Sequence, residues 1–199
     1  MPSRDSEISA ALRFSSVATA TDQPRVPEAR WYPSAAAAQL VLGPPLDDEK
    51  FWLTLEGSLT RALQRRCHER FHVDVLWEGY ARPTLEEART LTIPDRQVAW
   101  IREVHLCGDG QPWVMARTVI PLDTLKGNGR RLRHLGRRPL GHFLFSQRRW
   151  HRGPFQVGLV RRRHASQPSI GRRSRFYRGN HALLVGEYFL PSLLQRDLG

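Results

Sequence analysis

Cysteine is nearly absent from this chain of 199 residues, with Cys67 and Cys107 the whole supply. Two cysteines cannot build a disulfide framework or, alone, a zinc site, and each reads as a small core residue. The eight histidines are scattered along the chain, and no metal site is expected. No apolar run approaches the roughly 18 residues of a membrane span, so no membrane insertion is expected. The N-terminus, MPSRDSEISA, carries Asp5 and Glu7 and lacks the apolar core of a secretory signal. The expected compartment is therefore the cytoplasm. P-loop, GxSxG and dinucleotide fingerprints are missing, as is any internal repeat.

Lysine is equally scarce, with only Lys50 and Lys126, although the net charge is +12. Acidic residues vanish from Thr124 to Gly186, while Lys126 and fifteen arginines fall in that interval. Nucleic-acid binding is one reading of such a stretch. Two features favour a solvated basic face instead. Arginine has displaced lysine throughout the chain, as base composition alone would cause. The arginines also come in dispersed groups (Arg130-Arg131, Arg137-Arg138, Arg161 to Arg163) without interleaved stacking aromatics. No nucleic-acid partner is expected.

What is present suits one soluble domain with a tail: 40% hydrophobic and 9% aromatic residues. Residues 1–28, rich in Ser, Ala, Thr and Pro, read as a disordered N-terminal tail. Residues 29–199 form the domain, with Trp31-Tyr32-Pro33 as its first anchored point. A short ambiguous run from Ala35 to Ala38 ends at Gly43. Asp47 or Asp48 caps a helix with Phe51, Trp52 and Leu55 on one face, and Ser58 caps another from Leu59 to about Glu69. Phe71 to Trp77 alternates as a strand, Leu85 to Arg89 is a short helix at best, and Pro139 to Ser146 is a helix. Phe155 to Val160 is a further strand. Two hairpins, Val98–Pro121 and Arg172–Pro191, complete an α+β domain: one antiparallel sheet with helices over it.

The first hairpin turns at Asp109-Gly110, the strongest short-range hairpin signal a sequence offers. A strict ladder from that turn sets Arg102 opposite Arg117 on an otherwise apolar face. Like charges facing each other destabilise a sheet. One reading is a dry anion site between two planar forks. The other is a displaced register, or arginines leaning out to pair with Glu103 or another acid. In the second hairpin, Glu187 shares a face with Leu183, Val185 and Phe189, and the Gly179-Asn180 turn sets it opposite Arg172. A cross-strand ion pair and a site role weigh equally for it.

The strings GSLTRAL (57–63), EGY (78–80), WIREVHLCGDGQPWVMARTVIP (100–121), LGRRPLGHFLF (135–145), GRRSRF (171–176) and LLVGEYFLP (183–191) closely resemble chorismate pyruvate-lyase. The blocks run in that family's order over roughly residues 50 to 191. The resemblance implies a soluble bacterial enzyme that converts chorismate to 4-hydroxybenzoate and pyruvate, the first step towards ubiquinone. It implies a sheet of about six strands, a ligand enclosed beneath mobile helical flaps, and no metal or organic cofactor; the protein is expected to act as a monomer.

The family's ligand-contacting positions fall on Leu59 in GSLTR, Arg102 in WIRE, Leu140 in PLG and Glu187 in GEYF; Arg117 in ART matches a further pocket arginine. Leu59 stands where other members carry methionine, a volume-conserving swap. Chorismate is a dianion, and the resemblance implies Arg102 at its ring carboxylate and Arg117 on the enolpyruvyl side. Glu187 falls at the oxygen that becomes the phenol. The rival is a small-acid-sensing effector-type domain of the same fold without catalysis, which needs a DNA-binding partner domain. Residues 1–45 are too short and too weakly periodic to supply a helix-turn-helix.

Overall fold

The computed structural model describes residues 26–43, 47–146 and 150–195. Most of the expected tail thus lies outside the described residues, but Val26 is already buried and clusters with Val160 and Tyr188. Strand β1 (Ala29–Tyr32) follows. Helix α1 (Ala35–Leu42) starts at Ser34, whose Oγ accepts the Ala37 N–H, and stops at Gly43. Helix α2 (Asp47–Thr54) buries Trp52 and Leu53 and leaves Phe51 exposed, so its inward face differs from the expected Phe51–Trp52–Leu55 stripe.

Helix α3 (Leu59–Arg66) is capped by Ser58 as expected and turns Leu59 and Leu63 inward. It ends before Glu69 for a reason remote in sequence. Asp109 Oδ1 accepts the N–H groups of His68 at 3.0 Å and Glu69 at 2.8 Å, drawing the chain out of the helix. Strand β2 (Phe71–Ala81) outlasts its expected end, and α4 (Leu85–Leu91) is secured by a Thr84–Glu87 capping box. Strands β3 (Ala99–Gly108) and β4 (Gln111–Pro121) meet at Asp109 and Gly110, both at positive φ (51° and 76°), as a type I′ turn requires.

Two 3-10 stretches, Leu122–Leu125 and Gly127–His134, lead to α5 (Leu140–Ser146). The chain closes with β5 (His151–Arg152), β6 (Gln156–Val160), β7 (Ile170–Arg178), β8 (His181–Phe189) and the short α6 (Pro191–Leu194).

The strands form one antiparallel sheet in the order β1-β6-β7-β8-β4-β3-β2, with β5 beside β7. It has eight strands, not six, among the described residues. The additions, β1 and β5, are too short to show alternation.

The register of the first hairpin corrects the ladder read from sequence. Cys107 pairs with Pro112, but Leu106 pairs with Val114, so Trp113 is an extra residue on β4. Pro112 has no N–H to donate. The buried Trp113 ring lies over Gly108, where a Cβ would come within 2.3 Å of it. Beyond this bulge every partner moves by one, which flips each side chain to the other face. Arg102 therefore faces Thr118, and Arg117 faces Glu103.

Helices α1, α2, α3 and α5 with the 3-10 stretches cover one face. Trp52, Leu53, Leu59 and Leu63 pack there on Val104, Leu106, Ala116 and Phe189. The other face is covered at one end by α4, whose Leu91 packs on Ala99, Ile101, Val119 and Leu184.

Candidate active site

Beneath α3 and α5, on the helix-covered face, a small pocket of about 50 Å³ is bounded by β3, β4, β7 and β8. Leu59, Arg102, Leu140 and Glu187, distant in sequence, all line it. Leu59 reaches it because Ser58 starts α3 there, and Leu140 because it opens α5. Arg102 and Glu187 reach it from strands separated only by β4. Two strand spacings across the sheet and two residues along it set their backbones roughly 12 Å apart.

Arg102 is 2% exposed. Its Nη2 donates to the Gly136 carbonyl at 2.5 Å, and its Nε stands 3.4 Å from Glu78 Oε2, the one carboxylate in reach among the described residues. Burial pushes its pKa down, and Glu78 offsets that only in part. Taking a guanidinium out of water against so little opposite charge is unfavourable unless an anion joins it.

Glu187 is the cross-strand partner of Arg172, as the Gly179-Asn180 turn requires. The fully buried Arg172 donates Nε–H to Glu187 Oε2 at 2.7 Å, and its Nη1 donates to the Trp52 and Leu55 carbonyls. The ion pair and the pocket position coexist, since Glu187 also lines the cavity.

Arg117, the further pocket arginine expected from the sequence, does not reach this cavity. It projects from the opposite face, where Glu87 accepts its Nε–H at 2.7 Å and an Nη2–H at 3.0 Å, and Glu103 accepts from Nη1 at 2.6 Å. Burial lowers its pKa, but Glu87 and Glu103 outweigh that and hold it above the ordinary value. It is a structural cation with two buried counter-ions.

The sequence reading missed Arg152, which lines the pocket from β5. Its Nη1 donates to the Glu56 carbonyl at 2.8 Å, and its guanidinium lies over the rings of Phe155 (4.8 Å) and Phe176 (5.2 Å). Burial lowers its pKa, with Glu187 opposing and Arg172 adding to the shift. No periodic face marks Arg152 in the sequence, because its strand is only two residues long.

A larger cavity of about 440 Å³ opens on the opposite face, lined by Trp31, Glu86, Glu87, Arg117, Arg173 and Tyr188 among others. Its charges compensate one another: Arg117 with Glu87 and Glu103, Arg173 with Glu86. The smaller pocket, with its less compensated arginine, is the better anion site.

Residues 28–198 match the family model described as chorismate lyase. The chain is 55% identical over 177 residues to a probable chorismate pyruvate-lyase of Marinobacter nauticus, covering 87% of this chain and 94% of that protein. It is 42% identical over 153 residues to a probable chorismate pyruvate-lyase of Methylococcus capsulatus, covering 72% of this chain and 94% of the other. Among solved structures, PhnF of Mycobacterium smegmatis matches with a TM-score of 0.50 at 12% identity, over 86% of this chain and 91% of that one. At that identity the likeness extends to the fold alone.

Proposed function

The chain belongs to the chorismate lyase family, and from that premise we propose that it converts chorismate to 4-hydroxybenzoate and pyruvate, the first step of ubiquinone biosynthesis. The observation that carries this reading is the convergence of Leu59, Arg102, Leu140 and Glu187 on one pocket.

In the reaction the bond from the ring to the enolpyruvyl oxygen breaks, and the ring carbon bearing the hydroxyl loses its proton. The ring becomes aromatic, and the departing enolpyruvate gains a proton on its methylene to give pyruvate. Aromatisation supplies the driving force. The protein's task is to bind both carboxylates, hold the ether in an eliminating conformation and exclude water.

Arg102 takes the ring carboxylate, adding the opposite charge its burial calls for. Glu187, held by Arg172, accepts a hydrogen bond from the hydroxyl that becomes the phenol. The roughly 12 Å between their backbones suits a ring substituted at both ends. Arg152 takes the enolpyruvyl carboxylate, the role the sequence reading gave to Arg117. Leu59 and Leu140 form the apolar walls.

The pocket holds a few waters but not a ten-carbon dianion, so α3 and α5 separate to admit it. An outer cleft of about 530 Å³, sharing Thr60, Pro139 and Gly141 with the pocket, marks the way in. Among the described residues no helix is long and apolar enough to cross a membrane. A dianion does not cross a bilayer unaided, which supports a cytoplasmic location.

The test is to incubate the purified protein with chorismate and identify the products. Stoichiometric 4-hydroxybenzoate and pyruvate are expected. Tight binding without turnover would make the chain a small-acid-binding domain of the same fold.

A further inference from the structure

Strand β2 is an edge of the sheet, and on the face turned away from the lyase pocket it joins β3 in gathering three different donor atoms. His72 Nε2 stands 3.3 Å from Asp74 Oδ2. Cys107 Sγ stands 3.7 Å from the same oxygen. One ligand atom from each residue lies within 4.8 Å of the others. The register explains the gathering: His72 pairs with Cys107 and Asp74 with His105, so His-x-Asp and His-x-Cys on adjacent strands share a face.

The spacing fits a tetrahedral ion. Zinc is held at about 2.0–2.2 Å by imidazole or carboxylate and about 2.3 Å by thiolate, so neighbouring ligand atoms lie about 3.3–3.7 Å apart. The two separations, 3.3 and 3.7 Å, fall at the ends of that interval. Access fits too. The His72 and Asp74 side chains are 34% and 47% exposed, while Cys107 is buried beneath them. An ion can therefore arrive from solvent and be held from below. The mixed N, O and S donors suit zinc or cobalt; magnesium and calcium take oxygen ligands.

We propose that His72, Asp74 and Cys107 form a binding site for a divalent cation of the zinc type, which clips edge strand β2 to β3. The Cys107 thiol releases its proton when the ion binds. The fourth coordination position falls to water, flanked by His105 on the same face. The clip bridges a strand whose outer edge has no neighbour among the described residues, where pairing is otherwise weakest. It is independent of the lyase reading, because the pocket lies on the other side of the sheet.

The experiment strips the full-length protein with a chelator, removes the chelator, and titrates with zinc chloride alone against a chromophoric competitor. A parallel titration with cobalt chloride follows the absorption spectrum. The wild type should bind one equivalent, melt at a higher temperature with zinc, and show thiolate-to-cobalt charge-transfer absorption. Cys107→Ser should abolish that absorption and weaken zinc binding by about tenfold or more, as loss of a ligand does. His72→Ala, at a partly exposed position, should weaken zinc to a similar degree. The proposal is overturned if the wild type shows no saturable binding. It is equally overturned if both variants keep wild-type affinity, which would place the ion on other histidines.

Discussion

Arg172, with no exposed surface, donates its Nε–H across the β7–β8 ladder to Glu187 Oε2 at 2.7 Å. The carboxylate that faces the pocket is thus fixed from behind by a cation that cannot leave. Glu187→Gln should keep the fold, lower stability by about 1–3 kcal/mol through loss of the charged hydrogen bond, and reduce turnover by about 100-fold or more. Chorismate affinity should change much less. A variant with normal turnover and only a lower melting temperature would leave Glu187 a purely structural residue.

Arg117 behaves in the opposite sense. Arg117→Met leaves Glu87 and Glu103 buried without their shared cation, which should cost about 3–5 kcal/mol. The folded fraction should still bind 4-hydroxybenzoate with near wild-type affinity. Calorimetric melts combined with product titration check both halves, and a stable variant that has lost ligand binding would contradict the assignment.

How much of this was legible in the sequence depends on how local each cause is. Ser58 and the Asp109-Gly110 turn are local chemistry, and both stand where they were read. The Arg172–Glu187 pairing was also legible, because a two-residue loop sets the register and no bulge intervenes. The Arg102–Arg117 pairing failed because Trp113 is inserted into β4, and the space that accepts its ring exists only over Gly108 in the folded hairpin. Of the two alternatives, displaced register and pairing with Glu103 describe Arg117; Arg102 remains in the pocket. Arg152 was hidden for another reason. Its position depends on the Glu56 carbonyl and two phenylalanine rings far away in the chain.

Arg152→Ala should separate substrate from product. Chorismate carries the enolpyruvyl carboxylate and 4-hydroxybenzoate does not. Loss of a charge-assisted contact of about 1.5–3 kcal/mol should raise the KM or Kd for chorismate by about 10- to 100-fold. Affinity for 4-hydroxybenzoate should stay nearly unchanged. Equal weakening of both ligands, measured by inhibition and turnover on the same preparation, would move Arg152 away from the enolpyruvyl side.

Excess chelator should leave turnover intact. The His72–Asp74–Cys107 cluster lies on the face opposite Arg102 and Glu187, and the elimination needs no Lewis acid once aromatisation drives it. Loss of activity restored by a divalent ion would contradict that account of the chemistry.

The central claim is that Arg102 is held in the pocket for an anion. Arg102→Ala should reduce chorismate turnover by orders of magnitude, and Arg102→Lys should not restore it, since an ammonium cannot reproduce the planar fork. The most direct measurement is the shift in melting temperature on adding 4-hydroxybenzoate to the wild type and to Arg102→Ala. A ligand that binds only the folded state stabilises it by mass action. The wild type should show a clear upward shift and Arg102→Ala little or none, even though its ligand-free melt stays close to wild type. An Arg102→Ala protein that melts far below wild type yet shifts fully with 4-hydroxybenzoate would make Arg102 a structural arginine and contradict the account.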